Sequence, residues 1–591
     1  MLTATIPIKQ WKSVFQGLGS ASSFRRWIEV QSVKIDCKVA SRFAHTVMTS
    51  TALNKANVSQ EVFFEVELPK TAFITNFSMS IDGKTYVGEV KEKEKAKKQY
   101  EKALSSGQTA GLVKASGRKM EKFSVSVNIA ANSNVKFTLT YEELLQRRFG
   151  KYEIMIRVKP KQLVQHFEIA ADIYEPQGIA FLDYSAAFLT NELLVTPSFS
   201  YTAHLSFSPT LDQQRKCPDC DGTLIDGDFF IKYDVKRAED LGDIQIVNGY
   251  FVHFFAPADL PRLPKNVAFV IDHSGSMRGK KMEQTREALL TILRGKDYHF
   301  TQTFPMSFFS LGTNIKDALL LAVDMLTAAK ESKTFADNSA SMIILLTDGQ
   351  TYTGISCLNF RKNVQTAIFG NMSLFCLGFG FDVEYNFLDV MAKQNDGLAR
   401  RIYEASDAVL QLQGFYDEVA SPLLSEVHFN YPENTVNSLT GSYFKQFFNG
   451  SEIVVAGQLN DIEMNDFAND FVVKGQASAQ KYDTIFPDQE YIFGEFTERL
   501  WAYLTIQQLL DKKDKGTPEE KVNATAETLK LSLKYNFVTP LTSMVVTKPE
   551  TDEKPEDTMI ADKLMEELHG MGFNGRAAAS KPYIIKHHAK R

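Results

Sequence analysis

The stretch Val267-Ala268-Phe269-Val270-Ile271-Asp272-His273-Ser274-Gly275-Ser276-Met277 decides the fold of the central part of the chain. Its first five residues are apolar, which predicts a strand that is buried on both faces, as in a parallel sheet covered by helices. The strand pattern ends in a loop with oxygen-bearing side chains at alternate positions. An amphipathic helical pattern follows from Lys281 to about Arg294. This order is typical of open α/β sheets, in which ligand sites form at the carboxyl ends of strands.

Three side chains of this loop, those of Asp272, Ser274 and Ser276, can bring their oxygen atoms together if the loop curls. A carboxylate and two hydroxyls are hard ligands, which suit Mg²⁺, Mn²⁺ or Ca²⁺ better than zinc. Because three ligands do not fill an octahedral shell, further ligands are expected from other loops. Thr313 precedes an amphipathic helix and Asp348 follows a second apolar strand, so both are candidates. The alternative interpretation is a polar loop that binds no metal.

The succession of Asp-x-Ser-x-Ser, a later threonine and Thr-Asp-Gly resembles the metal-ion-dependent adhesion site of von Willebrand factor A domains. The resemblance implies a divalent cation, with Mg²⁺ expected and Mn²⁺ or Ca²⁺ as alternatives. It assigns the cation to five residues: Asp272, Ser274, Ser276, Thr313 and Asp348. It also implies that an acidic group of a partner completes the coordination, because the charge of the ion attracts a carboxylate.

Length and composition limit the class of protein. A chain of 591 residues is too long for one core and predicts three or four structural units. A net charge of −5 argues against nucleic-acid binding, because no face is expected to collect enough positive charge. No apolar run reaches the roughly 18 residues of a transmembrane span.

Signals for the cellular compartment conflict. The first residues show no apolar core of a signal peptide, and five cysteines are few, so both features favour the cytosol. Sequons for N-glycosylation favour secretion instead. They lie at five asparagines: Asn57, Asn76, Asn371, Asn449 and Asn523.

The first part of the chain has the alternating pattern of a β-sandwich from Ile28 to Tyr141. The segments 41–46, 61–69 and 111–113 resemble the vault protein inter-alpha-trypsin (VIT) domain. A VIT domain followed by an A domain is the order found in inter-alpha-trypsin inhibitor heavy chains, and the chain is similar to them over roughly residues 28–550. His45 is expected to be structural, because no nucleophile or orienting acid is near it in the sequence.

The predicted fold class is therefore multidomain, α+β and α/β. Six regions are expected: a loosely ordered N-terminus (1–25), a β-sandwich-like VIT domain (26–150), a β-rich connecting domain (151–262), a doubly wound von Willebrand factor A domain (263–425), a mixed β/α region packing on the β units (426–547) and a flexible tail (548–591).

Cys217-Pro218-Asp219-Cys220 falls in a loop of the connecting domain. A zinc site needs a second pair of ligands, which the sequence does not offer at suitable spacing. A redox motif should open a helix, whereas a strand pattern follows here. A local disulfide between Cys217 and Cys220 is favoured, and the resemblance to the heavy chains implies the same pairing.

Two further features depart from the family pattern. Only residues 295–312 separate the first A-domain helix from Thr313, where a strand, an edge hairpin and a helix are normally found. The A domain is therefore expected to lack a strand and a helix, as in a shortened member of the family. The Asp-Pro-His-Phe motif, through which heavy chains are esterified to chondroitin sulfate, is absent, so no ester residue is assigned.

The resemblance implies a secreted extracellular-matrix glycoprotein that acts in hyaluronan metabolism and accompanies a serine-protease inhibitor. The expected partners are hyaluronan or chondroitin sulfate, a protease-inhibitor light chain, and an acidic protein ligand at the A domain. The alternative is an intracellular scaffold of the same domains, which the N-terminus and the missing ester motif favour. An enzyme is not expected, because the sequence shows no G-x-S-x-G elbow, no H-E-x-x-H and no phosphate loop.

Overall fold

The structure, a computed structural model, describes residues 28–547 and 560–561 except for several stretches, the longest being 295–314, 461–471 and 482–495. The expected N-terminal segment and most of the expected tail lie outside these ranges. No helix in the described part of the chain combines the length and the apolar character that a membrane crossing needs.

The strands follow one another along the chain as β1 (Ile28–Ala40), β2 (Phe43–Asn54), β3 (Gln60–Pro69), β4 (Phe73–Ile81), β5 (Lys84–Val87), β6 (Glu89–Glu92), β7 (Ala110–Val113), β8 (Met120–Ile129), β9 (Asn134–Leu144), β10 (Tyr152–Val158), β11 (His166–Tyr174), β12 (Ile179–Ala186), β13 (Ser198–Phe199), β14 (Thr202–Phe207), β15 (Gly227–Val235), β16 (Asp243–Val247), β17 (Tyr250–Phe255), β18 (Lys265–Ile271), β19 (Ala340–Thr347), β20 (Ser373–Phe379), β21 (Ala399–Ile402), β22 (Pro422–Asn430), β23 (Val436–Asn437), β24 (Tyr443–Phe448), β25 (Ile453–Leu459), β26 (Val472–Gly475), β27 (Ser478–Lys481), β28 (Thr542–Thr547) and β29 (Ile560–Ala561).

The helices are α1 (Lys93–Ser105), α2 (Leu211–Gln214), α3 (Lys280–Arg294), α4 (Ile315–Glu331), α5 (Cys357–Ile368), α6 (Tyr385–Gln394), α7 (Ala408–Val419), α8 (Phe496–Lys515) and α9 (Pro518–Lys534), and a short 3₁₀ turn spans Gly275–Met277.

Two sheets pack face to face in the first half of the chain. One has eight strands in the order β13-β14-β11-β1-β2-β9-β4-β5, and the other has six in the order β3-β8-β29-β7-β28-β6. The alternating pattern of the sequence explains the packing, because residues at every second position of a strand face the same side. Phe64 of β3 and Phe137 of β9 stack with ring centroids 5.1 Å apart, and Phe77 of β4 joins them in one core. The expected sandwich-like, sheet-rich architecture is confirmed.

These sheets do not end at the predicted boundary near residue 150. β1 pairs in parallel with β11, so the eight-stranded sheet joins strands of the first and second predicted regions. β28 pairs with β6 and β7, so residues near 545 also belong to the N-terminal sheets. The six predicted regions therefore stay a prediction, and the sheets connect several of them.

A buried arginine connects four distant segments beside the eight-stranded sheet. Arg42 lies in the tight turn between β1 and β2, with a φ of 65° and only 2% of its surface exposed. Its guanidinium is 3.2 Å from Glu175, 3.6 Å from Asp243 and 3.7 Å from Glu452. It also lies over the ring of Phe254, 4.2 Å from the centroid. Several carboxylates thus share one buried cation.

The α/β unit contains a sheet of four parallel strands, β18-β19-β20-β21. α3 and α7 pack on one face, where Ile292 and Phe415 are buried. α4, α5 and α6 pack on the other face, where Leu319 and Leu388 are fully buried. Helices on both faces of a parallel sheet confirm the expected α/β fold class.

β18 is an edge strand of this sheet in the described part of the chain. Only Val270 is buried, whereas the other four apolar residues of the opening stretch are half-buried. Its residues pack against the hydrophobic cores on both faces of the sheet, as expected, but most of them are half-buried rather than buried because the strand lies at the edge. By contrast, β19 has a neighbour on each side, and its residues from Met342 onward are buried.

The chain enters and leaves the α/β unit at one place. The Leu263 N–H donates to the carbonyl of Pro422 over 2.8 Å, and the Lys265 ammonium donates to the carbonyl of Ala420. Beyond this point β25 pairs with β17, and α8 packs on the resulting sheet through Leu500 and Trp501. The described residues beyond this point thus pack on the β-rich half of the molecule.

Candidate functional site

The candidate site lies where β18 and β19 end side by side. The two strands are parallel with Ile271 opposite Leu346, so the residues that follow them, Asp272 and Thr347, are neighbours. The Asp272 N–H donates to the carbonyl of Leu346 over 2.8 Å, which extends the sheet ladder into the loop. Parallel pairing therefore brings the ends of both strands, with their polar side chains, to one edge of the sheet.

Asp272 fixes the conformation of the loop that follows β18 through two hydrogen bonds. Only 8% of its surface is exposed, and its Oδ1 accepts from the Ser274 N–H at 2.9 Å. Its Oδ2 accepts from the Thr347 hydroxyl at 2.6 Å. The hydroxyls of Ser274 and Ser276 lie 2.9 Å from each other. Met277 is fully buried and anchors the loop in the core, so the three predicted residues of this loop do come together.

Asp348 has a different environment, although it directly follows Thr347. It is completely buried, and among the described residues neither of its carboxylate oxygens has a hydrogen-bond partner. The ammonium of Lys281 lies 3.6 Å from Oδ2, which is beyond hydrogen-bonding distance. A buried carboxylate without hydrogen bonds is costly, so its oxygens are the groups of this edge that most need a ligand.

The arrangement fits a hard divalent cation. Carboxylates of two neighbouring strand ends and a pair of adjacent hydroxyls are the oxygen donors that such ions prefer. Thr313, the remaining predicted ligand, and Gly349 lie outside the described residues. Among the residues that are described, three or more His, Cys, Asp or Glu side chains nowhere converge as a metal cluster, so a site here would depend on the serine hydroxyls.

Sequence reasoning missed two residues at this edge. Thr347 was part of the Thr-Asp-Gly pattern, but its role was not predicted. Its hydrogen bond to Asp272 depends on the register of β18 and β19, which cannot be read from the sequence. Lys281 reaches Asp348 because the chain turns at Gly279, with a φ of 81°, before α3 begins. The glycine before a pair of lysines was the available signal.

His45 has a partner that the sequence did not reveal. Its Nδ1 lies 2.9 Å from Oε1 of Glu142 on the neighbouring strand, so the expectation that no acid orients it is wrong. Arg499 of α8 donates to the same carboxylate at 2.8 Å. Burial raises the pKa of Glu142, but the bonds from His45 and Arg499 outweigh it and hold the pKa below its usual value. The group links α8 to the sheet.

The remaining predicted site residues are all described. Cys217 and Cys220 form a disulfide, and their Cα atoms are 5.1 Å apart, within the usual range. The asparagine of each predicted sequon is exposed on the surface: Asn57, Asn76, Asn371, Asn449 and Asn523. Accessibility is compatible with glycosylation at every one of them.

Two known domain families match parts of this chain. The model of the vault protein inter-alpha-trypsin domain matches residues 30–141, and that of the von Willebrand factor type A domain matches residues 300–418. A solved structure titled von Willebrand factor type A from Catenulispora acidiphila is 14% identical, with a TM-score of 0.31, over 51% of this chain and 88% of that chain.

Several curated relatives are much more similar in sequence. Inter-alpha-trypsin inhibitor heavy chain H3 of Mus musculus is 55% identical over 91% of this chain and 65% of its own length. The protein of that name from Homo sapiens is 54% identical over 93% of this chain and 67% of its own length. Heavy chain H4 of Bos taurus is 48% identical over 91% of this chain. The chain spans about two thirds of the length of these relatives.

Proposed function

This chain belongs to the inter-alpha-trypsin inhibitor heavy chain family, and from that premise we propose that it binds acidic ligands through a divalent cation at the end of β18 and β19. The observation that supports the proposal most directly is Asp348, a fully buried carboxylate whose oxygens have no hydrogen-bond partner in the part of the chain that the structure describes. Such a group gains most from a cation, because its desolvation is otherwise not offset by hydrogen bonds.

Each residue has a distinct part in the proposed site. The cation, for which Mg²⁺ is our first choice and Mn²⁺ or Ca²⁺ the alternatives, would supply an unscreened charge that attracts a carboxylate or sulfate of the partner. Asp272 is oriented in advance by Ser274 and Thr347, so little ordering remains to be done on binding. Ser274 and Ser276 present hydroxyl oxygens, and Asp348 contributes negative charge. Thr313 is proposed as a further ligand by family resemblance.

Titration calorimetry with Mn²⁺ and Mg²⁺ on the full chain tests the site. We expect the unaltered chain to bind a single ion and Asp272→Ala to abolish binding, because that change removes a ligand and the two bonds that shape the loop. Asp324→Ala is the matched control, since Asp324 is an exposed aspartate of α4. If Asp272→Ala bound Mn²⁺ as tightly as Asp324→Ala, the proposed site would be refuted.

We further propose that the protein is a secreted glycoprotein. The disulfide between Cys217 and Cys220 supports an oxidising compartment, and the exposed sequon asparagines support glycosylation. Intact-mass measurement of the natural protein before and after glycosidase treatment provides the test. A mass loss on treatment is expected. An unchanged mass would favour the alternative, an intracellular scaffold that binds protein partners.

The partners are proposed from the family. We infer that the chain accompanies a protease-inhibitor light chain, takes part in hyaluronan metabolism and thereby stabilises matrix, and has no catalytic activity of its own. Surface plasmon resonance with immobilised hyaluronan and chondroitin sulfate, in Mg²⁺ and in EDTA, separates two modes of binding. Loss of binding in EDTA and in Asp272→Ala would place the glycosaminoglycan at the proposed ion. Binding that is unchanged by both would place it elsewhere on the chain.

A further inference from the structure

The proposed ion site already has a cation of the protein next to it. Lys281 lies in the first turn of α3, and its ammonium is 3.6 Å from Oδ2 of Asp348. The lysine side chain is 12% exposed and the aspartate side chain is 0% exposed, so the pair is shielded from water. Shielding strengthens the attraction between the two charges.

The pair is unusual because it compensates charge without forming a hydrogen bond. Both oxygens of Asp348 lack a hydrogen-bond partner within the described ranges, and the distance to the Lys281 nitrogen is too long for a hydrogen bond. The charge of Asp348 is therefore partly offset, whereas its lone pairs stay unused. A carboxylate in this state can accept a second cation at short range, provided that the first one moves away.

Lys281 is able to move away. A lysine head group is a compact charge on a flexible four-carbon stem, so it can turn toward water without a change in the backbone. Solvent is close, because the neighbouring Lys280 and Gly279 are exposed at the start of α3. An ammonium and a divalent ion repel each other, so both cannot stay beside Asp348 at low cost.

We propose that Lys281 is a tethered competitor of the divalent ion. Its ammonium offsets the charge of Asp348 while the ion is absent, and it turns out to solvent when the ion binds. Lys281 thereby sets the ion concentration at which the site becomes able to bind acidic ligands. This inference rests on the proposed function, because it presupposes an ion at Asp348.

Two substitutions in the full chain test the competition. Lys281→Met keeps the apolar stem and removes the charge, and Lys280→Met is the matched control one residue earlier in the same helix. We expect Lys281→Met to bind Mn²⁺ about tenfold more tightly than the unaltered chain, as released competition of moderate strength would allow. It should also melt at a lower temperature in EDTA, because Asp348 then has no cation. Lys280→Met should change neither quantity.

Amine acetylation of the unaltered chain gives a second measurement that needs no variant. We expect Lys281 to be acetylated several-fold faster in Mn²⁺ than in EDTA, with Lys280 as the internal reference of constant rate. Equal rates for Lys281 in both conditions, or unchanged Mn²⁺ affinity in Lys281→Met, would overturn the competition and leave the proposed function standing. If the unaltered chain and both variants bound no ion, the proposed function and this inference would fail together.

Discussion

Replacing Arg42 with methionine should destabilise the β-rich half of the molecule more than any exposed substitution. The change removes the guanidinium that lies 3.2 Å from Glu175, 3.6 Å from Asp243 and 3.7 Å from Glu452. Removing one partner of a buried ion network costs about 3–5 kcal/mol, because the other charges stay buried and unpaired. In a unit of this size that corresponds to a melting temperature lower by roughly 10 °C.

Differential scanning calorimetry at neutral pH measures the effect, and Arg148→Met is the control. Arg148 has 49% of its side chain exposed and pairs with Glu418 at 3.7 Å, so its loss should cost about 0–1 kcal/mol. The difference between the two variants should shrink on going to about pH 5, because burial raises the pKa of Glu175 to about 7, so this carboxyl is protonated and uncharged at the lower pH. If Arg42→Met melted within a degree of Arg148→Met, the structure would not depend on this buried cation.

Two other perturbations have equally definite outcomes. Burial raises the pKa of Glu143 to about 7 from its ordinary 4.5, so the native state holds a proton that the unfolded chain releases and stability falls as pH rises through this window. Glu143→Gln keeps a hydrogen-bond acceptor for Thr71 and should remove about 2–3 kcal/mol of this pH-dependent decrease in the free energy of unfolding. Urea unfolding at about pH 4.5 and about pH 7 measures the decrease. A decrease as large as that of the unaltered chain would contradict the prediction. Gly397→Ala would place a methyl group 2.0 Å from the Leu374 carbonyl oxygen and should lower the free energy of unfolding by about 1–3 kcal/mol. Gly414→Ala in α7 would meet nothing within 4 Å and should raise the free energy of unfolding by about 0.5–1 kcal/mol. Equal unfolding midpoints of the two variants in urea would refute the comparison.

The sequence predicted the α/β unit well because its signals are local. The 3.6-residue period placed α3 within one residue of its observed start at Lys280, and the apolar run Ser373–Phe379 became β20. The family resemblance was also contained in short motifs. Elements that are specified by their own residues could therefore be predicted from the residues alone.

Pairings over long distances could not be predicted in this way. The parallel ladder between β1 and β11 joins residues more than 120 positions apart, for example Ser32 with His166, and no local pattern states it. The half-exposure of Phe269 follows from the place of β18 in the sheet rather than from its composition. The proximity of Asp272, Ser274 and Ser276 was predicted because they lie in one short loop. The contact of Lys281 was not predicted, because it depends on where α3 lies relative to β19.

The two ends of the α/β unit lie next to each other at Leu263 and Pro422, which affects how this architecture can vary. A unit whose two ends are adjacent can be replaced by another unit, or shortened internally, while the rest of the protein keeps its fold and its strand pairing. Recombination or alternative splicing within the α/β unit would therefore change this unit and leave the β-rich half of the molecule unchanged.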